Sequence, residues 1–317
     1  MYKVLLTDHP EPAALDVFSA YPEIEATSMG TLEPAELAAV LPAFDAIIVR
    51  SPTRLTAELI AAGEKLRIIG RAGVGVDNID LAEALRRAIM VLNVPDANTI
   101  STAEHTVGMI LAVARRTAEA DASLRAGRWN RKHLDGVELY GKTLGIVGLG
   151  RVGREVARRM LAFSMKVIAA DPYVAVEDAG GLGVELVDLD SLLGRSDVIS
   201  LHVALTHETT RLISIGEIER MRDGVLVVNC SRGEVVDEDA LERGLTAGKI
   251  GGLGLDVFTR EPPGSHPLFG HPRTVFTPHL GAATREARVR VGVHIAENVA
   301  KALTTGEMRD VVDPSRG

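Results

Sequence analysis

Leu144-Gly145-Ile146-Val147-Gly148-Leu149-Gly150-Arg151-Val152-Gly153 is an apolar run that closes on a glycine-spaced turn, and residues 154–161 continue it with helical periodicity. Strand, GxGxxG and helix in this order form a mechanical unit. The first glycine permits the tight turn, the second lets backbone approach a pyrophosphate, and the third lets the helix lie close to the strand. Amides at the helix start then meet the phosphates. The next apolar run, Val167-Ile168-Ala169-Ala170, ends in Asp171, 18 residues after Gly153. A carboxylate there accepts from the ribose hydroxyls and repels a 2′-phosphate, so the pattern favours NAD over NADP.

Outward from this unit, short β-branched runs alternate with helical patterns. Residues 4–7, 46–49, 68–70 and 90–93 read as strands on one side, and 143–147, 167–170, 198–202, 225–229, 252–256 and 275–277 on the other. Uninterrupted apolar strands of this kind belong to parallel sheets covered on both faces, so the expected class is α/β with two doubly wound sheets. Residues 99–126 between the two series read as one long helix, opened by the capping-box spacing of Ser101-Thr102-Ala103-Glu104. Residues 126–133 lose periodicity, are locally basic, and read as a surface arm. A last amphipathic helix runs from Ala282-Ala283-Thr284 to about Leu303 and is expected to pack back on the first domain.

Composition narrows the function classes. The 317 residues carry a formal charge of −8, which leaves no general electrostatic footprint for nucleic acid or an anionic membrane. The single cysteine, Cys230, cannot form an internal disulfide, and the N-terminus turns polar before a signal-peptide core builds up. The longest apolar run, 107–114, is too short to span a bilayer. A cytoplasmic protein is the expectation. No His/Cys/Asp cluster has zinc spacing, and His202, His207 and Glu208 read as loop residues, so no metal is expected.

Three ionisable residues follow strand ends: Arg232, Glu261 and His279. The carboxyl ends of parallel strands frame the ligand crevice of such sheets. Moving a hydride off a carbinol carbon requires a base for the hydroxyl proton, and imidazole titrates in the right range, which singles out His279. A carboxylate on its other nitrogen would orient the ring and favour its protonated form, a role open to Glu261. A guanidinium gives planar, bidentate recognition of a substrate carboxylate, a role open to Arg232. Cys230 directly follows a strand with no histidine beside it in sequence and reads as packing next to the cofactor. A second glycine cluster, Gly70-Arg71-Ala72-Gly73-Val74-Gly75, has Asn78 in place of a third glycine and reads as a backbone nest for a small anion.

Gly148–Gly153, Asp171, the stretch 229–237 (NCSRGEVVD), 255–263 (LDVFTREPP) and Pro278-His279-Leu280-Gly281-Ala282 together resemble the D-isomer-specific 2-hydroxyacid dehydrogenase family over nearly the whole chain. The resemblance implies Arg232, Glu261 and His279 as the catalytic set. It implies a Rossmann cofactor domain, residues 99–286, inserted into a flavodoxin-like substrate domain, residues 1–98 and 287–317, with a hinged cleft. It adds Arg151, Val152, Pro172 and Val203 to the glycines and Asp171 as cofactor contacts, and Cys230, Ser231, Arg232, Asp256, His279 and Gly281 as well. Homodimers through the cofactor domains, or tetramers, are implied.

Within the family, Val49-Arg50-Ser51, residues 70–78, Gly127-Arg128-Trp129 and Gly141-Lys142-Thr143-Leu144 are most similar to the 3-phosphoglycerate dehydrogenases. That likeness implies oxidation of 3-phospho-D-glycerate to 3-phosphohydroxypyruvate in serine biosynthesis. It places Arg50 and Arg71 at the substrate phosphate, with Arg131 approaching from a neighbouring subunit. Ser51, Gly73, Val74, Gly75 and Asn98 complete the implied substrate set with Arg232 and His279. Val74 departs from the threonine common in that group. The chain stops at Gly317, so a serine-sensing regulatory domain is not expected. A glyoxylate or hydroxypyruvate reductase is the nearest alternative, and an NAD-sensing corepressor is the alternative of another class.

Overall fold

Every side chain of the strand Ala46–Val49 is buried, Ala46 and Ile48 in one apolar cluster and Ile47 and Val49 in another. Alternate residues of a strand point to opposite faces, so an unbroken apolar run needs a cover on each. The structure is a computed structural model that describes residues 1–313 and consists of two compact units, Met1–Asn98 with Ala283–Gly317, and Thr99–Ala282.

In the first unit Tyr2–Leu6 (β1), Ile24–Ser28 (β2), Ala46–Val49 (β3), Ile68–Arg71 (β4) and Met90–Leu92 (β5) form a parallel sheet in the order β2-β1-β3-β4-β5. This is the flavodoxin-like order, with its switch point between β1 and β3. The helix Arg285–Thr304, capped by Thr284, covers one face: Ile295 and Val299 press on Gly70, where a Cβ would lie 2.9 Å from Val299 Cγ2. The terminal helix therefore packs on the sheet of the first unit.

In the second unit Thr143–Val147 (β6), Lys166–Ala170 (β7), Glu185–Leu186 (β8), Val198–Leu201 (β9), Val225–Asn229 (β10), Ile250–Leu255 (β11) and Thr274–Phe276 (β12) form a parallel sheet ordered β12-β11-β10-β9-β6-β7-β8. The order reverses between β6 and β9, as in a dinucleotide-binding fold. Val147 pairs with Leu201, so the two strands end level and Gly148 emerges beside His202. The described residues contain no helix long and apolar enough to cross a membrane.

The structure corrects two readings of the sequence. Strands β2 and β8 escaped notice because both are edge strands: β2 buries only Ile24, and β8 has two residues, neither of them buried. The expected single helix over 99–126 is two, Thr99–Ala114 and Thr117–Arg125, broken at Arg116, whose φ is +53°, and Ser101, expected to open it with a capping box, lies inside the first of them. The Ala114 carbonyl accepts the Val137 amide at 2.7 Å, and the Arg116 guanidinium binds Glu119 at 2.7 Å and the His133 carbonyl. These tertiary bonds turn the chain where neither glycine nor proline marks a stop.

Candidate active site

The glycine turn after β6 uses its three glycines differently. Gly148 has φ +93°, and a Cβ there would lie 2.8 Å from the His202 carbonyl oxygen. A Cβ on Gly153 would run into the Gly148 carbonyl, so the helix Arg151–Ala162 lies against the turn only without one. Around Gly150, the N-cap of that helix, a Cβ would meet nothing within 4 Å. Open space at a helix N-terminus is what approach of a pyrophosphate requires. Asp171, at the end of β7, accepts the Leu149 amide at 2.8 Å and the Tyr173 amide at 2.9 Å, which fixes its carboxylate beside the turn. These residues fit a dinucleotide.

His279 follows β12 with φ +54°, a left-handed conformation that costs a non-glycine residue on the order of 1 kcal/mol and persists where surroundings over-determine it. Here the surroundings are Asp256. That side chain is 1% exposed and accepts from Thr277 Oγ1 at 2.6 Å, the Leu280 amide at 2.7 Å and the Gly281 amide at 2.8 Å. The Asp256 carbonyl also accepts the His279 amide at 2.8 Å. The turn presents the His279 ring with its Nδ1 2.8 Å from Glu261 Oε2, both side chains partly in solvent. Burial opposes ionisation of Glu261, but the hydrogen bond and charge of His279 and the Phe258 amide outweigh it, holding the carboxyl below the usual range.

Arg232 is aimed by Asn229, which is fully buried. Asn229 Oδ1 accepts the Ser231 amide and hydroxyl, and its Nδ2 donates to the Arg232 carbonyl at 2.8 Å. Gly233 packs so tightly on the backbone of Phe258 that a Cβ would overlap it, which draws the arginine loop toward the loop carrying Glu261. Cys230 is buried, and burial pushes its thiol up to about 12, so it stays protonated and inert. His202, beside Val203 at the end of β9, is driven down to about 4 by burial and is neutral, with Ser200 Oγ 2.9 Å from its Nε2.

A grouping not visible in the sequence is His105 with Cys230 and Asp256, whose ligand-type atoms lie within 4.8 Å of one another. The protonated thiol and the hydrogen bonds filling the Asp256 carboxylate make this a hydrogen-bonded cluster in character. Arg151 is exposed at the start of its helix, Pro172 exposed after β7, and Ser231 and Gly281 are buried.

In the first unit Arg50 and Ser51 follow β3, and Arg71 ends β4. Asp8, buried with φ +62°, accepts the Arg50 amide at 2.9 Å and Thr53 Oγ1 at 2.8 Å, while its carbonyl accepts Arg50 Nη1 at 3.3 Å. Asn78 Nδ2 binds the carbonyls of Arg50 and Thr53, so the residue standing where a third glycine would fall ties the arginine loop down. Arg71 donates to Ser51 Oγ at 2.8 Å and to the Ala72 carbonyl at 3.1 Å. Its guanidinium fills the space a Cβ on Gly73 would need. The Gly73 amide donates to the Arg71 carbonyl at 2.8 Å. Val74 is exposed, with its carbonyl held by Asn93 Nδ2, and Asn98 closes the segment half-buried.

Residues 107–281 match the family model of the D-isomer specific 2-hydroxyacid dehydrogenase NAD binding domain. The chain belongs to this family. Among curated relatives it is 52% identical over 272 residues to D-3-phosphoglycerate dehydrogenase of Archaeoglobus fulgidus, a match covering 84% of the chain and 52% of the relative. The chain spans about half the length of that relative. It is 46% identical over 305 residues to hydroxypyruvate reductase of Thermotoga maritima, covering 95% of the chain and 98% of that protein. The TT0316 protein of Thermus thermophilus superposes with a TM-score of 0.90 at 36% identity, covering 98% of this chain and 100% of the other. The matched NAD binding domain lies within the second unit, Thr99–Ala282.

Proposed function

We propose that this dehydrogenase oxidises 3-phospho-D-glycerate to 3-phosphohydroxypyruvate with NAD, with His279 as the acid/base. The pairing of His279 Nδ1 with Glu261 at 2.8 Å carries the mechanism, because it commits one ring nitrogen and leaves Nε2 for the substrate hydroxyl. NAD supplies the hydride acceptor when bound. The amides around Gly150, Arg151, Val152 and Gly153, with the Asp171 carboxylate, would hold its pyrophosphate and ribose. Pro172, Val203, Cys230, Ser231, Asp256 and Gly281 would line the rest.

His279 takes the hydroxyl proton at Nε2, and the ionised Glu261 stabilises the imidazolium so formed. Arg232 pairs with the substrate carboxylate in the fork geometry of a guanidinium. For a phosphorylated substrate, Arg50 and Arg71 supply charge-assisted hydrogen bonds to the phosphate. The 52% identity to a phosphoglycerate dehydrogenase supports the substrate. The 46% identity to a hydroxypyruvate reductase supports a second reading, reduction of the unphosphorylated oxo acid. We further infer a homodimer through the NAD-binding domains, with the exposed Arg131 and Trp129 of the basic arm at the interface, in a reducing cytoplasm.

The test is NADH formation at alkaline pH with 3-phosphoglycerate beside D-glycerate, and NADH oxidation with hydroxypyruvate. Turnover at least ten times higher on the phosphorylated acid is expected, and the reverse preference selects the reductase. His279→Ala should lose roughly 1,000-fold in kcat while NADH still quenches the protein fluorescence, the usual scale of a lost acid/base. Unchanged kcat removes His279 from the mechanism.

A further inference from the structure

His105 lies on the helix Thr99–Ala114, outside every motif that points to the chemistry, and is partly buried. Its Nε2 is 3.0 Å from Thr277 Oγ1 and 3.2 Å from Asp256 Oδ1. The proton inventory assigns the tautomer. Thr277 has one hydroxyl hydrogen and spends it on Asp256 at 2.6 Å, so its oxygen is an acceptor toward the ring, and the carboxylate is an acceptor too. The hydrogen on Nε2 is therefore shared between the two.

Asp256 then carries the turn. Its two oxygens receive Thr277, His105 and the amides of Leu280 and Gly281, the two residues that follow His279. Burial opposes ionisation of this carboxyl, yet the hydrogen bonds from His105, Thr277 and Leu280 hold it below its ordinary value. Around the ring, the groups facing His105 are Asp256 after β11, Cys230 after β10 and Thr277 after β12. Two neighbouring strand ends, those of β11 and β12, are thus joined to one helix through a single imidazole, with Cys230 close by at the end of β10.

We propose that His105 is a positioning residue for the acid/base step: by donating from Nε2 to Asp256 and Thr277 it fixes the carboxylate that holds His279 in its left-handed turn. This rests on His279 being the acid/base. His105 touches neither the reacting carbon nor its proton and acts through Asp256. Its removal leaves Glu261, Arg232 and the glycine turn in place, so binding survives and the chemical step suffers.

The experiment compares His105→Leu, His105→Gln and His279→Ala in the whole chain, assayed with NAD and 3-phosphoglycerate and with NADH and hydroxypyruvate. His105→Leu should lower kcat by about 10- to 100-fold, the scale of one hydrogen bond to a charged group, with KM within about twofold. It should also raise the primary isotope effect measured with substrate deuterated at C2, because chemistry becomes rate-limiting. His105→Gln places an amide donor at the same reach and should recover most of kcat. Equal loss in a folded Gln variant, or a His105→Leu enzyme with wild-type kcat and isotope effect, overturns the proposal. Should the Leu variant fail to fold, the Gln variant decides alone: near-normal kcat supports the donor role, and loss overturns it. His279→Ala with undiminished turnover would instead overturn the acid/base reading on which the proposal stands.

Discussion

Two glycine clusters follow strands in this chain, Gly148–Gly153 after β6 and Gly70–Gly75 at the end of β4, and they look alike on paper. The space that a side chain would take at Gly150 is empty to 4 Å, whereas the space at Gly73 is filled by the guanidinium of Arg71. In the first cluster the missing Cβ lets backbone come close to a ligand. In the second it lets one long side chain fold back and reach Ser51. Glycine spacing alone therefore does not distinguish a turn that reads phosphates with amides from one that houses an arginine. What lies where the Cβ would be does.

The comparison can be broken at its glycines. Gly153→Ala should destabilise the second unit by about 3 kcal/mol, since the Gly148 carbonyl is backbone and cannot move aside, and chemical denaturation would show it. Gly150→Ala should leave stability unchanged but weaken NADH binding by about 100-fold, because the methyl enters the space that backbone and pyrophosphate share. Fluorescence titration with unaltered Kd would contradict that role. Gly73→Ala should expel the Arg71 guanidinium and raise KM for 3-phosphoglycerate by about 10-fold with NADH affinity intact, the cost of one charge-assisted contact. Equal KM changes on hydroxypyruvate would separate Arg71 from phosphate.

The smallest effect sharpens the first cluster, whose Gly148 rests on His202. Burial lowers that imidazole from 6.5 to about 4, so the folded state binds fewer protons than the unfolded one between those values. Its contribution is present above pH 6.5 and is lost as pH falls toward 4. Because His202 as a residue is only partly buried, the loss is on the order of 1 kcal/mol. Melting curves of His202→Gln should show a flatter pH dependence across that window.

The parts of the fold that were legible are those where burial is complete. Strands β3, β6 and β10 lie at the residues read from the sequence, because each has both faces covered and carries an unbroken apolar run. Strand β2 mixes Glu25, Thr27 and Ser28 into an edge position and loses that signal. The break at Arg116 has no local mark because it is set by Val137 and His133, which are remote in sequence.

The same distinction holds at the site. Strand-end positions pointed to Glu261 and His279, which the structure brings within hydrogen-bond distance. Asp8, Thr53, Asn78 and His105 hold the candidate groups from a distance, and ordinary polar residues on a helix or loop give no periodic signal. Capping was less legible: Ser101, whose spacing to Glu104 suggests a capping box, lies inside the helix Thr99–Ala114, whereas Thr284 caps the last helix three residues before the amide it accepts.

Cys230 is the chain's only thiol, sealed at the end of β10 and protonated far above neutrality. In the native state a thiol reagent has nothing to attack, so modification waits for the sheet end to open. The residue is thus a built-in clock for opening of the second unit. The labelling rate at neutral pH counts excursions of β10 from its neighbours, and a nucleotide that binds only the closed form slows the clock in proportion to its occupancy.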